Sequence, residues 1–449
     1  MKYFFETYGC QMNTAESAAL ELVIRERGWT EAASGEDADL ALLNTCAVRA
    51  TAEQRVMGRL AHYTALKKKR LAEGRPLILI VTGCMAERLG EKLKGSVPAV
   101  DQVMGTAARQ TFPLILEAVE QGRPVPALTD NETKPVFSFS SSHLEPGQFR
   151  SFIPIMNGCN NFCSYCIVPY VRGREVSRDP AAILKEIRLV AEKGVREITL
   201  LGQNVNSYHW QGAGDVPGAI DFPALLEMVA AAVENTPIRW VRFLSSHPKD
   251  LSQKAIRVMA EHRVFARHIH LCVQHGSDRI LKAMNRRYTS AEYLELAATL
   301  RTAMPGLTLS TDILVGFPGE TGEDFEAIIT LMEKAKFLYA YMYHYNPREG
   351  TAAYDLPDRV SEAVKLERLE RVIALQQKHT GELLKTRVGS REMVLVEGIS
   401  RKNADELVCR TERDEMAVFP GKASLIGSFA EITLSSLRGN TFRGKNLED

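Results

Sequence analysis

This sequence lacks three features that would place it in a specialised class. Its first residues, Met1–Glu6, lack the apolar segment of a secretory signal peptide. No run of 18 apolar residues occurs, so we expect no transmembrane helix and no association with a membrane. An excess of one charge is also missing, because 56 Lys and Arg stand against 55 Asp and Glu, a net charge of +1. We therefore expect a cytoplasmic protein, in which any nucleic-acid-binding surface is local.

The composition that remains is that of a folded protein. The 449 residues are 45% hydrophobic and 25% charged, the usual balance of globular domains. This length allows two or three domains with a large core. The eight cysteines are expected to be reduced in a chain without a secretory signal. Reduced cysteines in this number favour metal binding or chemistry over disulfides.

Three cysteines stand alone in the first hundred residues, each after a predicted strand. The strands are predicted at 3–9, 39–44 and 77–82, and helices at 14–28 and 54–73. This β-α-β-α-β order predicts a parallel sheet, in which the carboxyl ends of the strands share one edge. Cys10, Cys46 and Cys84 would meet at that edge, where thiolates suit a thiophilic metal or an iron–sulfur cluster. The alternative is three ordinary buried cysteines.

Three further cysteines lie within eight residues of one another. Cys159, Cys163 and Cys166 have the spacing Cys-x3-Cys-x2-Cys, with Tyr165 before the last. One loop can thus present three thiolates to a small cluster, whereas a structural zinc site would need a fourth ligand. A cubane cluster held by three cysteines leaves one iron open for a substrate or cofactor. A zinc knuckle and a cluster for electron transfer are the alternatives.

The cysteine triplet with its aromatic residue resembles the radical S-adenosylmethionine (SAM) enzymes. The resemblance implies that the triplet holds a [4Fe–4S] cluster, that the open iron chelates SAM, and that reductive cleavage yields a 5′-deoxyadenosyl radical. Six strand-like segments agree with it and predict a partial (β/α)6 barrel: 152–156, 197–201, 239–244, 268–273, 308–315 and 338–344. By the same resemblance, residues beside the cluster and at strand ends contact SAM: Tyr165, Gly202, Gln203, Ser245 and Gly316.

Over its whole length the chain resembles the methylthiotransferase family. The resemblance is carried by the strings Tyr-Gly-Cys-Gln-Met-Asn at 8–13, Asn-Thr-Cys-Ala-Val-Arg at 44–49, Gly-Cys-Met-Ala at 83–86 and the run at 167–175. It implies that Cys10, Cys46 and Cys84 hold a second [4Fe–4S] cluster, also with an open iron. All six cluster cysteines would then be catalytic.

The same strings are most similar to the branch of the family that methylthiolates C2 of N6-isopentenyladenosine next to the tRNA anticodon. Two other branches modify N6-threonylcarbamoyladenosine in tRNA or an aspartate of a small-subunit ribosomal protein, and both remain open. A non-enzymatic iron–sulfur RNA-binding protein is an alternative of another class. We also expect an electron donor such as flavodoxin or ferredoxin and a sulfur donor, and we take a monomer as the default oligomeric state.

Two cysteines depart from the family pattern. Cys272 stands where the family carries proline, beside the expected rim of the active site, and Cys409 stands where glycine is common. We interpret Cys272 as a small core residue and Cys409 as structural.

We predict an α/β protein of three domains. They are a parallel α/β sheet domain for the second cluster (1–145), the radical SAM barrel (146–380) and a small antiparallel β-barrel that resembles the RNA-binding TRAM domain (381–449). Basic residues in two segments are candidates for RNA contact: Arg49, Lys67, Lys68, Arg172 and Arg174.

Overall fold

Parallel strands build the N-terminal part of the chain in the computed structural model, which describes residues 1–47, 50–106, 111–125, 147–212 and 218–446. The strands are β1 (Lys2–Thr7), β2 (Thr30–Glu31), β3 (Leu40–Thr45), β4 (Ile78–Gly83) and β5 (Gln102–Met104), in the sheet order β2-β1-β3-β4-β5. The helices are α1 (Gln11–Arg25), α2 (Ala50–Ala72), α3 (Cys84–Leu89), α4 (Glu91–Ser96) and α5 (Phe112–Glu120). The predicted β-α-β-α-β order is confirmed.

The central strand β3 is buried along its whole length. Its sequence, Leu-Ala-Leu-Leu-Asn-Thr, is nearly continuous in apolar residues, as expected where helices cover both faces of a parallel sheet. One apolar cluster includes Leu60 and Tyr63 of α2, and a second includes Leu20 of α1 and Ile115 of α5. Cys10, Cys46 and Cys84 each follow the carboxyl end of a strand of this sheet.

The described residues divide into two compact units. The first contains this sheet together with Met156–Phe162 and Cys166–Arg178, which form an antiparallel pair of β7 (Met156–Asn157) and β8 (Val176–Ser177) and the helix α6 (Val168–Arg172). The second contains 147–155, Cys163–Tyr165 and the chain from Asp179 onward. The predicted boundary at 145/146 lies outside the described residues.

Six parallel strands of the second unit follow one another in chain order. They are β6 (Arg150–Pro154), β9 (Glu197–Leu201), β12 (Trp240–Phe243), β13 (His268–His270), β14 (Thr308–Val315) and β15 (Tyr339–His344). Two three-stranded sheets, β12-β9-β6 and β13-β14-β15, are joined by the parallel bridges Val241–Phe265 and Ser246–Leu271. All six strands predicted for the partial barrel are therefore present.

Helices alternate with these strands. They are α7 (Pro180–Glu192), α8 (Phe222–Val233), α9 (Gln253–Glu261), α10 (Asp278–Ala283), α11 (Ser290–Ala303), α12 (Gly322–Ala335) and α13 (Glu362–Lys385). The short strands β10 (His209–Trp210) and β11 (Ile220–Asp221) form a separate antiparallel pair. Side-chain caps define several helix starts, for example Thr289 and Thr321, each of which forms a reciprocal capping box. No described helix is long and apolar enough to cross a membrane.

The C-terminal strands close into a barrel in the order β16-β17-β18-β20-β19. They are β16 (Arg391–Ser400), β17 (Asn403–Thr411), β18 (Met416–Pro420), β19 (Phe429–Arg438) and β20 (Thr441–Asn446). The sequence predicts four strands here, at 392–397, 405–410, 416–419 and 429–434, and misses β20. This strand pairs antiparallel with β19 but parallel with β18 and so closes the barrel. The predicted boundary at 380/381 falls inside α13, which leads into this barrel.

Candidate active site

The three single cysteines lie at the carboxyl ends of adjacent parallel strands. Cys10 follows β1, Cys46 follows β3 directly, and Cys84 is the first residue of α3 after β4. Two glycines allow these turns to approach closely. A Cβ on Gly9 (φ +125°) would lie 2.7 Å from the Cβ of Cys46, and one on Gly83 (φ +93°) would clash with the carbonyl oxygen of Thr45.

The electrostatic surroundings of Cys84 include the other two thiols. Burial raises the pKa of Cys84 to about 11, the guanidinium of Arg172 lowers it, and Glu16, Cys46 and Cys10 raise it further. Groups influence one another's pKa in this way only at short range. Cys46 and Cys84 are buried, whereas Cys10 is exposed.

Arg172 is the buried cation of this site. Its guanidinium donates to both carboxylate oxygens of Glu16, at 2.7 and 3.2 Å, to Asn13 Oδ1 at 3.0 Å and to Asn157 Oδ1 at 3.2 Å. Asn13 Oδ1 also accepts from the Cys10 thiol at 3.6 Å. Charge interactions with Cys84 and Cys10 help to raise the pKa of Arg172 well above its usual value, against the opposing effect of its burial.

Arg172, which was predicted to contact RNA, is buried and paired in this structure. The residue is 6% exposed, and its donors are used by Glu16, Asn13 and Asn157. A buried guanidinium that is already paired with a carboxylate cannot reach a phosphate in solution. Its role in this structure is to place a positive charge beside the cysteines.

The cysteine triplet lies in the loop between β7 and α6. Cys159 and Cys163 are buried, and Cys166 is half-buried. The loop is shaped by Gly158 (φ +79°), where a Cβ would clash with the backbone of Arg174, and by the hydrogen bond from Cys159 N to Gly173 O at 3.2 Å. Within the second unit, Ser164 fixes the loop because its N donates to Met284 O and its O accepts from Ala353 N.

A second buried arginine contacts the triplet, and sequence analysis missed it. Arg286 Nη1 donates to Cys163 Sγ at 3.4 Å, Nη2 to Cys272 O at 2.5 Å and Nε to Tyr288 Oη at 2.9 Å. Arg286 lies 123 residues from Cys163, in the loop after α10, so no motif spacing connects the two. In the sequence, only the two arginines of the string Asn-Arg-Arg-Tyr at 285–288 mark this loop as basic.

The predicted SAM contacts lie where the barrel strands end. Gly202 and Gln203 follow β9, Ser245 (φ +65°) follows β12, and Gly316 (φ +72°) follows β14. Gly316 N donates to Glu320 Oε2 at 2.7 Å, which tightens that turn. Tyr165 is half-buried and packs against an apolar cluster that contains Ile280, Met284 and Phe317.

Polar atoms at the same strand ends fit a polar ligand. Asn204 Oδ1, Ser246 Oγ and His247 Nε2 are buried and find no hydrogen-bond partner within the described ranges. Unpaired buried polar atoms are costly, so such atoms are expected where a ligand binds. Burial, Arg286, Lys249 and Arg287 lower the pKa of His247 to about 2, so its imidazole is neutral. These groups fit the polar amino-acid end of SAM.

Family models match three separate parts of the chain. The Radical SAM superfamily matches residues 153–332, the Uncharacterized protein family UPF0004 matches 2–105, and the TRAM domain matches 385–447. A relative from Treponema pallidum (strain Nichols), named tRNA-2-methylthio-N(6)-dimethylallyladenosine synthase, is 48% identical over 465 residues, spanning 100% of this chain and 99% of the relative. The chain belongs to this synthase family.

Other members of the synthase family are similar in sequence to this chain over nearly its full length. The synthase of that name from Treponema denticola is 49% identical over 99% of each chain, and the one from Porphyromonas gingivalis (strain W83) is 43% identical over 100% of this chain and 95% of the relative. Among solved structures, the radical SAM methyltransferase TsrM from Kitasatospora setae matches with a TM-score of 0.57 at 14% identity, covering 79% of this chain and 74% of that one. This likeness concerns the fold alone.

The remaining candidates for RNA contact differ in accessibility. Lys67 is half-buried and bonds to Ala99 O at 2.9 Å and to the carboxylate of Asp101. Lys68 and Arg174 are exposed, with the Arg174 guanidinium 4.3 Å from the centre of the Phe162 ring. Arg49 lies outside the described residues. Lys68 and Arg174 therefore remain the candidates with accessible charge in this synthase.

The two other cysteines take different positions. Cys409 is buried in the core of the C-terminal barrel, where its thiol donates to Ala417 O at 3.3 Å, in agreement with a structural role. Cys272 is half-buried beside His270 and Asp312. It is thus in contact with polar groups, and the interpretation of a small core residue describes only part of its surroundings.

Proposed function

We propose that this protein adds a methylthio group to C2 of N6-isopentenyladenosine (N6-dimethylallyladenosine) next to the anticodon of tRNA. The observation that carries the proposal is the full-length identity of 48–49% with the Treponema synthases. Two separate sets of three cysteines, one at the sheet edge and one in the β7–α6 loop, support it. We assign the second cluster to residues 1–145, the radical SAM chemistry to residues 146–380 and RNA binding to residues 381–449.

The six cysteines fit two iron–sulfur clusters. Cys159, Cys163 and Cys166 would hold the first [4Fe–4S] cluster, and Cys10, Cys46 and Cys84 the second. When bound, such clusters supply an open iron that chelates SAM and an electron that cleaves it, and a second open iron that holds sulfur. The C2–H group of adenine is too weakly acidic to be deprotonated by any side-chain base at neutral pH, so a radical route is required.

The chain's own residues would prepare both sites. Arg172 places a positive charge beside Cys84 and Cys10, and this charge lowers the pKa of the Cys84 thiol against the opposing effect of its burial. Arg286 would hold Cys163 in place through its N–H···S contact. Ser246 and His247 would bind the polar part of SAM, together with Gly202, Gln203, Ser245, Gly316 and Tyr165.

Further partners are part of the proposal. The tRNA would be bound by exposed cations, among them Lys68 and Arg174, and by the C-terminal barrel. An electron donor such as flavodoxin or ferredoxin would reduce the first cluster, and a sulfur donor would supply the second. We propose that the enzyme acts in the cytoplasm as a monomer.

Nucleoside mass spectrometry tests the substrate. Anaerobically reconstituted protein is incubated with sulfide, SAM, reductant and tRNA that carries N6-isopentenyladenosine. We expect 2-methylthio-N6-isopentenyladenosine from the wild-type protein and from Cys409→Ser, a control variant of a cysteine outside both sets. If 5′-deoxyadenosine forms without this nucleoside, the radical site stands and the substrate is wrong; tRNA with N6-threonylcarbamoyladenosine and the ribosomal protein are then assayed.

A further inference from the structure

One cluster of metal-binding side chains lies outside both cysteine sets. His270 ends β13, Cys272 follows two residues later, and Asp312 lies on the neighbouring strand β14. Side chains two residues apart on an extended segment point to the same face. The backbone pairs on both sides of Cys272, because Leu271 N donates to Ser310 O at 2.8 Å and Gln274 N to Asp312 O at 2.9 Å.

The three ligand atoms lie close together. One nitrogen of His270, Cys272 Sγ and one oxygen of Asp312 are all within 4.8 Å of one another. His270 Nε2 is 3.4 Å from Asp312 Oδ2. The three atoms are thus near enough to converge on one metal ion, whose bonds to nitrogen, oxygen and sulfur measure about 2.0–2.3 Å.

Neighbouring side chains fix the orientation of two of these ligands. His270 Nδ1 is 3.0 Å from Ser310 Oγ, which directs Nε2 toward the cluster. Gln274 Nε2 donates to Asp312 Oδ2 at 3.3 Å. Such outer partners of a histidine and a carboxylate are typical of metal sites, where they set the tautomer and the ring orientation.

We propose that His270, Cys272 and Asp312 bind one thiophilic divalent cation, best matched by Zn²⁺. Imidazole, thiolate and carboxylate are the three protein ligands that zinc uses, and three of them leave a fourth position open. Binding would release the protons that the thiol and the imidazole nitrogen hold in the empty site.

Zinc titration of the anaerobically reconstituted protein tests this site, with zinc and iron both measured by elemental analysis. We expect one zinc per chain in the wild-type protein and in Cys409→Ser, and at least a tenfold loss of zinc affinity in Cys272→Ser and Asp312→Asn. Iron content must stay unchanged in all four proteins, which shows that they fold and hold their clusters. Equal zinc affinity in wild type and Cys272→Ser would overturn the proposal.

Two measurements keep the test independent of folding defects. Ser310→Ala removes the outer partner of His270, together with the contact between Ser310 Oγ and His268 Nε2 at 2.9 Å, and we expect a ~10–100-fold weaker zinc affinity. Zinc X-ray absorption of the wild-type protein should show one sulfur ligand at about 2.3 Å and nitrogen or oxygen ligands at about 2.0–2.2 Å. Three or more sulfur ligands would place the zinc on the cluster cysteines instead and contradict the proposal, as would the absence of zinc from the wild-type protein.

Discussion

At the scale of single residues, each cysteine set has one buried arginine. Arg172 interacts with Cys84 and Cys10, and Arg286 donates to Cys163. Positive charge and N–H donors near sulfur stabilise thiolates and the reduced state of iron–sulfur clusters. Neither role could be predicted from the sequence. Arg172 was expected on the surface, and Arg286 is brought to the triplet only by the tertiary fold.

Replacement of Arg286 by glutamine should make the reduction potential of the SAM-binding cluster more negative. The variant removes a positive charge and the 3.4 Å contact to Cys163 Sγ, both of which favour the reduced cluster. Arg287→Gln is the matched control, because this neighbouring arginine is exposed. The potentials are measured by redox titration with electron paramagnetic resonance. Equal shifts in the two variants would contradict this role of Arg286.

Replacement of Arg172 by alanine should destabilise the cluster-free protein by about 3–5 kcal/mol, because Glu16 remains as a buried unpaired charge. Arg174→Ala removes an exposed arginine of the same loop and should change the free energy of unfolding by less than about 0.5 kcal/mol. Urea denaturation followed by circular dichroism measures both. A similar stability of the two variants would show that the Arg172–Glu16 pair contributes little.

At the scale of secondary-structure elements, strand ends carry the chemistry. The positions of β3 and β4 could be predicted because these strands are short, mostly apolar runs separated by helical patterns. The meeting of Cys10, Cys46 and Cys84 followed from the rule for parallel sheets. The short strand β20 was missed because Thr-Phe-Arg-Gly-Lys-Asn has no apolar alternation that distinguishes it from a loop. Its pairing depends on β18 and β19.

The turn between β4 and α3 provides a test of the close approach of the cysteine turns. Gly83→Ala should lose the iron of the second cluster, about half of the total, because the new Cβ would clash with Thr45 O and displace Cys84. Gly74→Ala is the control, since Gly74 also has a positive φ (+72°) but has open space around its Cβ position. Iron content after reconstitution measures the effect. Retention of all iron in Gly83→Ala would contradict the predicted clash.

The C-terminal barrel is held to the strands of the second unit by charged side chains that are buried or half-buried. Arg410 pairs with Glu197 at 2.8 Å, with Glu397 at 2.9 Å and with Asp414 at 2.5 Å, and Tyr339 Oη donates to Asp414 at 2.7 Å. Burial alone would raise the pKa of Asp414, but His268, Arg410 and Arg242 lower it to about 2. The charged form of Asp414 is therefore favoured in the folded state.

Acid should weaken the interactions of Asp414 with Arg410 and Tyr339 in a defined pH range. A carboxylate with a lowered pKa contributes stability that is fully present above its unfolded pKa of about 3.9 and is lost as pH falls toward 2. Asp414→Asn should therefore be less stable than wild type at pH 6, and the difference should shrink as the pH falls from 4 to 2. Thermal unfolding at several pH values measures it. A difference independent of pH would contradict the ionised state of Asp414.

At the scale of the whole molecule, three matched segments account for the chain. The sheet, the partial barrel and the C-terminal barrel each correspond to a family model, and the relative from Treponema pallidum matches this chain over its full length. The order of these segments was predictable from cysteine spacing and strand patterns. Which cationic side chains are exposed could not be predicted from the sequence. The net charge of +1 does not indicate where a basic surface lies, and Arg172 is buried whereas Arg174 is exposed.

The central claim is that the two cysteine sets do different parts of one reaction, and one assay of Cys10→Ala tests it. The variant is reconstituted, its first cluster is confirmed by spectroscopy, and 5′-deoxyadenosine and modified nucleoside are measured together. We predict that SAM cleavage persists while methylthiolation of the tRNA is lost. Methylthiolation at the wild-type level would contradict the account, because Cys10, Cys46 and Cys84 would then not be needed for sulfur transfer.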